Sequence, residues 1–194
     1  MRYNVQMVTD DGGARVALTA VGADRPGIVA ALTGTLEELG CNLEDSTMSI
    51  LRGQFAVLLV LAVPSGLDAP RVEAALGPVA DDLDLVVVVR PVHVAGHGPP
   101  SAEAPGDVYA FSVHGADRPG IVHRATDALG RAGANIVDLA TRLVGTAEEP
   151  VYVLTVTVAF APGSDPEAAV AEVCRSVEAF GVQCRAHRVE IDVL

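Results

Sequence analysis

An eight-residue segment occurs twice in this chain and constrains its fold more than any other feature. The segment GADRPGIV runs from Gly22 to Val29 and returns unchanged from Gly115 to Val122, 93 positions later. The same offset aligns further identical residues in each copy: Leu36 with Leu129, Gly40 with Gly133, Asn42 with Asn135, and Asp45 with Asp138. A long-range repeat of this kind indicates that one structural unit is built twice.

The repeat extends over nearly the whole chain. Four residues enter the second copy around 145–148, after which residues 55–60 match 152–157 at an offset of 97. Segment 95–106 is rich in Pro, Gly and small residues, which is typical of a linker. We therefore predict two domains, residues 1–94 and 107–194, joined by the linker 95–106.

Each copy shows the same order of secondary-structure signals. In the first, apolar residues at helical spacing follow the octapeptide, and alternating or fully apolar runs predict strands. The predicted strands are 15–20, 42–51, 55–63 and 85–94, with a short helix at 70–76; a longer helix at 166–180 and a last strand at 182–193 are predicted in the second copy. The order βαββαβ predicts an α+β fold, a ferredoxin-like unit with a four-stranded antiparallel sheet and both helices on one face.

The octapeptide stands between the first strand and the first helix of each copy. Pro26 suits the first helical position, and Gly27, at the second, leaves the first helical amides accessible. These amides, at the positive end of the helix dipole, can hold a carboxylate, whereas Asp24 suits an ammonium group. The turn could therefore hold both ends of an amino acid. The alternative is structural: Asp24 caps the helix, and Gly27 permits close packing.

Composition excludes several classes of function. The net charge is −12, and all 13 basic residues are arginine, so we expect no direct binding to DNA or RNA. The N-terminus lacks the apolar core of a signal peptide, and no apolar run is long enough to span a bilayer, so we expect a cytoplasmic protein without membrane contact. Three cysteines without C-x-x-C spacing predict neither disulfides nor a metal site, and we interpret Cys174 and Cys184 as small core residues.

Enzymatic activity is the first alternative to a binding role. The candidate nucleophiles and bases are Ser46, Ser49, Ser112, His93, His97, His114, His123 and His187. No serine lies in a G-x-S-x-G motif, and Cys41 is replaced by Ala134 in the other copy. The second repeat also closes near Leu194, which leaves no room for a catalytic domain. We therefore expect no catalysis and no cofactor.

The motifs in each copy resemble the ACT domain. Its signature is a strand, a D/N-R-P-G-hydrophobic turn, a helix ending in Gly, and an Asn that opens the second strand. The resemblance implies a small regulatory module that binds amino acids at the interface between two such domains. It implies these ligand-binding residues: Asp24, Arg25, Pro26, Gly27, Ile28 and Asn42 in the first copy, and Asp117, Arg118, Pro119, Gly120, Ile121 and Asn135 in the second.

In ACT domains the Asn often comes from the neighbouring domain, which implies pairing of Asp24 with Asn135 and of Asp117 with Asn42. This arrangement would join the second strands of the two copies edge to edge. Some serine-binding ACT domains carry a His two residues before the Asp position. Here those positions are Gly22 and Gly115, so the resemblance does not carry serine specificity to this chain.

Tandem ACT pairs of this length resemble the glycine cleavage system transcriptional repressor family. That resemblance implies a sensor of a small amino acid, of the glycine or serine class, that has no DNA-binding domain of its own. It implies control of a protein partner, either a transcription activator or a metabolic enzyme. The alternative is a scaffold or oligomerisation module that binds no ligand and serves an amino-acid-metabolic enzyme. Because strands 55–63 and 151–160 are apolar on both faces, we also predict at least a homodimer.

Overall fold

The computed structural model describes residues 14–92, 107–146 and 148–189. The chain divides into two compact units, residues 1–96 and 97–194. The predicted linker 95–106, together with His93 and His97, lies outside the described residues.

Both units have the predicted element order. The first contains β1 (Arg15–Ala23), α1 (Ile28–Glu38), β2 (Asn42–Leu51), β3 (Gln54–Ala62), α2 (Ala69–Leu83) and β4 (Leu85–Val92). The second contains β5 (Val108–Gly115), α3 (Ile121–Arg131), β6 (Asn135–Gly145), β7 (Pro150–Ala159), α4 (Pro166–Glu178) and β8 (Gln183–Arg188). The sheets have the orders β2-β3-β1-β4 and β6-β7-β5-β8, with every neighbouring pair antiparallel. The prediction of two ferredoxin-like units is confirmed.

Strand alternation places one face of each sheet in an aliphatic core. In the first unit, Leu18 and Leu59 pair across β1 and β3 and are buried, and the helical stripe Ile28, Leu32 and Leu36 covers them. The residues between them, such as Thr19 and Leu58, point to the face that no helix of that unit covers. Each unit therefore has a helical face, an open face and two sheet edges.

The second helix of the first unit is longer than predicted. We expected residues 70–76, but α2 continues to Leu83 through Pro78. Pro78 removes one helical hydrogen bond. Apolar side chains on both sides of it, Leu76, Val79 and Leu83, pack on the core, and this burial outweighs the loss.

The prediction that no disulfide forms is wrong for one pair of cysteines. Cys174 on α4 and Cys184 on β8 are joined in a disulfide, with their Cα atoms 5.2 Å apart. The bridge ties the last helix of the second unit to an edge strand of its own sheet. Cys41 remains a free thiol, and partial burial raises its pKa.

Candidate functional site

The helix that follows each octapeptide turn begins two residues later than the proline pattern predicts. Helices α1 and α3 start at Ile28 and Ile121, and Gly27 and Gly120 precede them as N-caps with φ of 94° and 96°. Pro26 and Pro119 are therefore outside the helix, which corrects their predicted place at its first position. The left-handed backbone explains the glycine, because a side chain at this φ is strained although the space around it is open.

The first glycine of the octapeptide is required by packing. A Cβ on Gly22 would lie 2.6 Å from a methyl group of Leu85 and 2.8 Å from the carbonyl oxygen of Asp84. A Cβ on Gly115 would meet Val182 in the same way, at 2.8 Å. In each unit, the end of the first strand thus passes close to the turn that leads into the last strand. Both glycines of the repeat therefore have a structural explanation.

We expect Gly22→Ala to lower the free energy of unfolding by about 1–2 kcal/mol, because a backbone oxygen must move to admit the methyl group. The matched control is Gly34→Ala in α1, where a Cβ meets nothing within 4 Å. That change should raise stability by about 0.5–1 kcal/mol through helix propensity. Urea unfolding of both variants measures the difference, and equal effects would contradict the packing role of Gly22.

The aspartates of the octapeptide do not cap their helices. No side chain caps α1 or α3, whereas Asp68 and Asp165 cap α2 and α4 by accepting hydrogen bonds from the amides of Arg71 and Ala168 at 3.1 Å. The first backbone bond of α1 is from Ala31 N to Gly27 O, at 2.9 Å. The preceding amides of the first turn are therefore left without a capping group.

The two aspartates are exposed and unpaired. Within the described residues, neither the Asp24 nor the Asp117 carboxylate has a hydrogen bond or an ion pair, and both side chains lie on the surface. The Asp24 backbone is held, since its amide donates to Gly53 O at 2.8 Å. The structural interpretation of Asp24 as a cap is thus excluded. The hydrogen-bonded backbone at Asp24 presents a free carboxylate in the turn before an uncapped helix.

The arginines of the two octapeptides are both exposed. Arg118 lies over the turn between α4 and β8, where its Nη1 is 3.3 Å from the position of a Cβ on Gly181. The corresponding left-handed residue of the first unit is Asp84, with φ of 53°. The two turns are therefore chemically different, although the octapeptides are identical.

Each asparagine lies far from the aspartate of its own unit. Asn42 opens β2 opposite Ala62, whereas the Asp24 turn contacts the hairpin at the other end of β2. The strand is 10 residues long, which separates its ends by about 30 Å. Asn135 and Asp117 lie at opposite ends of the second sheet in the same way. Within one unit, the asparagine and the aspartate are therefore too far apart to contact the same small ligand.

The strands that begin with these asparagines lie at sheet edges. Every residue of β2 is exposed, as are nearly all those of β6. Their exposed apolar side chains include Met48, Ile50, Leu139 and Leu143. Long, apolar edges favour the addition of another strand. Antiparallel joining of two such edges would bring the start of one strand to the end of the other.

The second unit also has a cavity that the sequence did not indicate. It has a volume of about 280 Å³, and its lining residues are His114, Gly115, Val151, Gly181 and Gln183. Ser112 Oγ is 3.3 Å from His114 Nδ1 on the same strand. No carboxylate in the described part of the chain orients this imidazole, so the pair lacks the third member of a catalytic triad. Pairing of β5 with β8 places Gln183 beside His114, which no motif predicted.

The other candidate catalytic residues are dispersed. Ser46 and Ser49 are exposed on β2, while His123 and His187 are exposed on α3 and β8. Across the described ranges, no group of three or more His, Cys, Asp or Glu side chains could hold a metal ion. None of the helices described is both long and apolar enough to cross a membrane.

Comparison with known proteins identifies the fold of the first unit. Residues 15–90 match the family model of the ACT domain. The match spans nearly all of the described residues of the first unit. The second unit repeats its octapeptide, element order and sheet topology, so the chain carries the same architecture twice.

The chain is also similar to the glycine cleavage system transcriptional repressor of Escherichia coli. The two are 32% identical over 127 residues, which make up 66% of this chain and 64% of the repressor. A crystal structure of an unknown protein from Galdieria sulphuraria covers 91% of this chain, with 27% identity and a TM-score of 0.73. A second crystal structure, assigned provisionally as a glycine cleavage system transcriptional repressor, covers 92% with 18% identity and a TM-score of 0.68, and supports the fold alone.

Proposed function

We propose that this chain is a cytoplasmic sensor that binds a small amino acid, of the glycine or serine class, at interfaces between ACT units. One observation carries the proposal. Each octapeptide places an unpaired carboxylate in the turn before a helix that has no side-chain cap, whereas the other two helices described are capped by aspartate. A zwitterion complements this arrangement, because its ammonium pairs with the carboxylate and its carboxylate with the amides.

The ligand-binding residues of this proposal are those of the two octapeptide turns, Asp24–Ile28 and Asp117–Ile121, with Asn42 and Asn135. The separation of Asp24 from Asn42 supports a site in which each asparagine serves the other unit. Asn135 would complete the Asp24 site and Asn42 the Asp117 site. Ligand bound across two units would stabilise one relative orientation and so change the surface offered to a partner.

The same proposal includes a protein partner and a homodimer. Similarity to a transcriptional repressor supports a role in transcription, and the net charge of −12 favours a protein target over direct DNA contact. Catalysis is not part of the proposal.

A thermal-shift panel tests the sensor role. Glycine, serine and other small amino acids at millimolar concentration should raise Tm, because a ligand that binds only the folded state stabilises it. At about 100 times Kd the gain is about 2.7 kcal/mol. Glycolate and ethylamine, which each lack one end of the zwitterion, are the matched controls and should have no effect. If no amino acid moves the midpoint, the sensor proposal fails.

A ligand-free scaffold is the second candidate function. The exposed apolar residues on the edge strands favour it, since edges of this kind assemble without any small molecule. This candidate predicts an oligomer whose Tm does not change with any amino acid in the panel.

A further inference from the structure

The open faces of the two sheets have diverged, although the two octapeptides have not. Residues that pair across the four strands form rows on the open face. In the first sheet, one row contains Val86, Val21, Ala56 and Ser49, and the adjacent row contains Val88, Thr19, Leu58 and Thr47. The corresponding rows of the second sheet contain Gln183, His114, Val153 and Arg142, and Arg185, Ser112, Thr155 and Ala140. The first face is uncharged in these rows, whereas the second carries two arginines and a histidine.

The apolar side chains of the first face are substantially exposed. The exposed fractions are 69% for Val86, 43% for Leu58, 41% for Val21 and 37% for Val88. They form one contiguous patch, because neighbouring strands of a sheet lie about 4.8 Å apart. A contiguous apolar patch on a sheet indicates a surface that another sheet covers.

We infer that a second copy of this chain covers this patch through its own copy of the same face. The corresponding face of the second unit is a poor cover, because burying Arg142 and Arg185 against valine and leucine would remove their charges from water without a partner. The first face of another copy offers uncharged side chains throughout these rows, and most of them are apolar. A two-fold interface of one patch with itself is also the commonest form of protein dimer.

At one end of the patch, an arginine and an aspartate lie where a two-fold axis would bring opposite charges of the two copies face to face. Arg90 on β4 and Asp45 on β2 share a row at opposite edges of the sheet, linked by Ala17 and Val60. Neither has an ion-pair partner among the described residues. An axis parallel to the strands brings β4 of one copy over β2 of the other, so each Arg90 faces an Asp45. This axis also keeps the strands of both sheets aligned, as sheet packing favours.

The area of the face reaches the minimum expected of a biological interface. Four strands spaced about 4.8 Å apart and about 26 Å long cover roughly 500 Å² per copy, or roughly 1,000 Å² in total. This total reaches the lower limit for specific protein interfaces. The interface uses the open face of β2 and not the hydrogen-bonding edge of that strand, where a proposed ligand site lies.

The first test compares the same substitution on the two faces. Leu58→Arg should weaken dimerisation of the full chain by at least about 100-fold, because two copies of an unpaired charge enter the interface. Thr155→Arg, at the corresponding position of the second sheet, should leave the dimer unchanged. Sedimentation equilibrium over a range of concentrations measures both, and circular dichroism checks their folding. Equal weakening by the two variants would overturn the assignment.

If the Leu58→Arg variant does not fold, a charge exchange between Asp45 and Arg90 tests the same interface. Asp45→Arg alone should weaken the dimer by about tenfold, and adding Arg90→Asp should restore it, since the pair is re-formed with reversed signs. If the double variant does not recover wild-type dimerisation, the proposed interface is wrong. It is also wrong if the wild-type chain is monomeric. The inference rests on the homodimer but not on the ligand: a monomer that still gained stability from an amino acid would overturn the interface and leave the sensor role standing.

Discussion

Asp24→Ala and Asp117→Ala, combined in one chain, should weaken amino-acid binding by about 10- to 100-fold, as expected for the loss of a hydrogen-bonded charge pair. Without ligand, the same variant should unfold within about 0.5 kcal/mol of wild type, because neither carboxylate has a partner in the described structure. Calorimetric titration with the best amino acid of the panel measures the affinity, and urea unfolding measures the stability.

The two capping aspartates provide the matched control. Asp68→Ala and Asp165→Ala should each cost about 1 kcal/mol of stability, since each removes a cap. They should leave the amino-acid affinity unchanged. The opposite pattern, in which Asp24→Ala destabilises the chain and the ligand still binds, would assign the octapeptide aspartates a structural role and refute the site.

Reduction of the Cys174–Cys184 disulfide should lower the stability of the second unit by about 2–3 kcal/mol, because the bridge closes a short loop and restricts the unfolded chain. Tyr109 and Tyr152 both lie in this unit, and the chain has no tryptophan. Tyrosine fluorescence in a Tyr3→Phe background therefore reports on its unfolding, with and without a phosphine reductant.

The double variant Cys174→Ala/Cys184→Ala is the control for this effect. It should unfold at lower urea concentration than the oxidised wild type and show no response to reductant. If reductant does not shift the urea unfolding transition of the wild type, the bridge does not form in the folded protein. Both residues would then be simple core cysteines.

Local patterns predicted most of the fold, because they act over a few residues. Alternation in the strands and the stripe Ile28, Leu32 and Leu36 depends on backbone period alone. The same local rules failed at two helix boundaries. Pro26 fits the first turn of a helix, yet the positive φ of Gly27 delays the start to Ile28; α2 passes Pro78, because core packing outweighs local propensity.

The octapeptide shows what sequence reasoning could and could not establish about the site. Its repetition located the turn, and the carboxylate and amides suggested a zwitterion. The choice between a cap and a free carboxylate depended on side-chain geometry, which the residue types do not specify. Asp68 caps its helix and Asp24 does not, although each is followed two residues later by a proline, Pro70 and Pro26.

From residue order alone, this chain could be assigned two ferredoxin-like units, their shared turns and an acidic surface, since repeats, periodicity and charge are properties of the linear chain. Contacts between distant segments required the folded structure. Gly22 lies against Asp84, and Cys174 is bonded to Cys184. In the first sheet, the strand register places Val86, Val21 and Ala56 in one apolar row. In the second sheet, the corresponding row contains Gln183, His114 and Val153. Sheet pairing creates these neighbours, and no local pattern encodes which strand lies beside which.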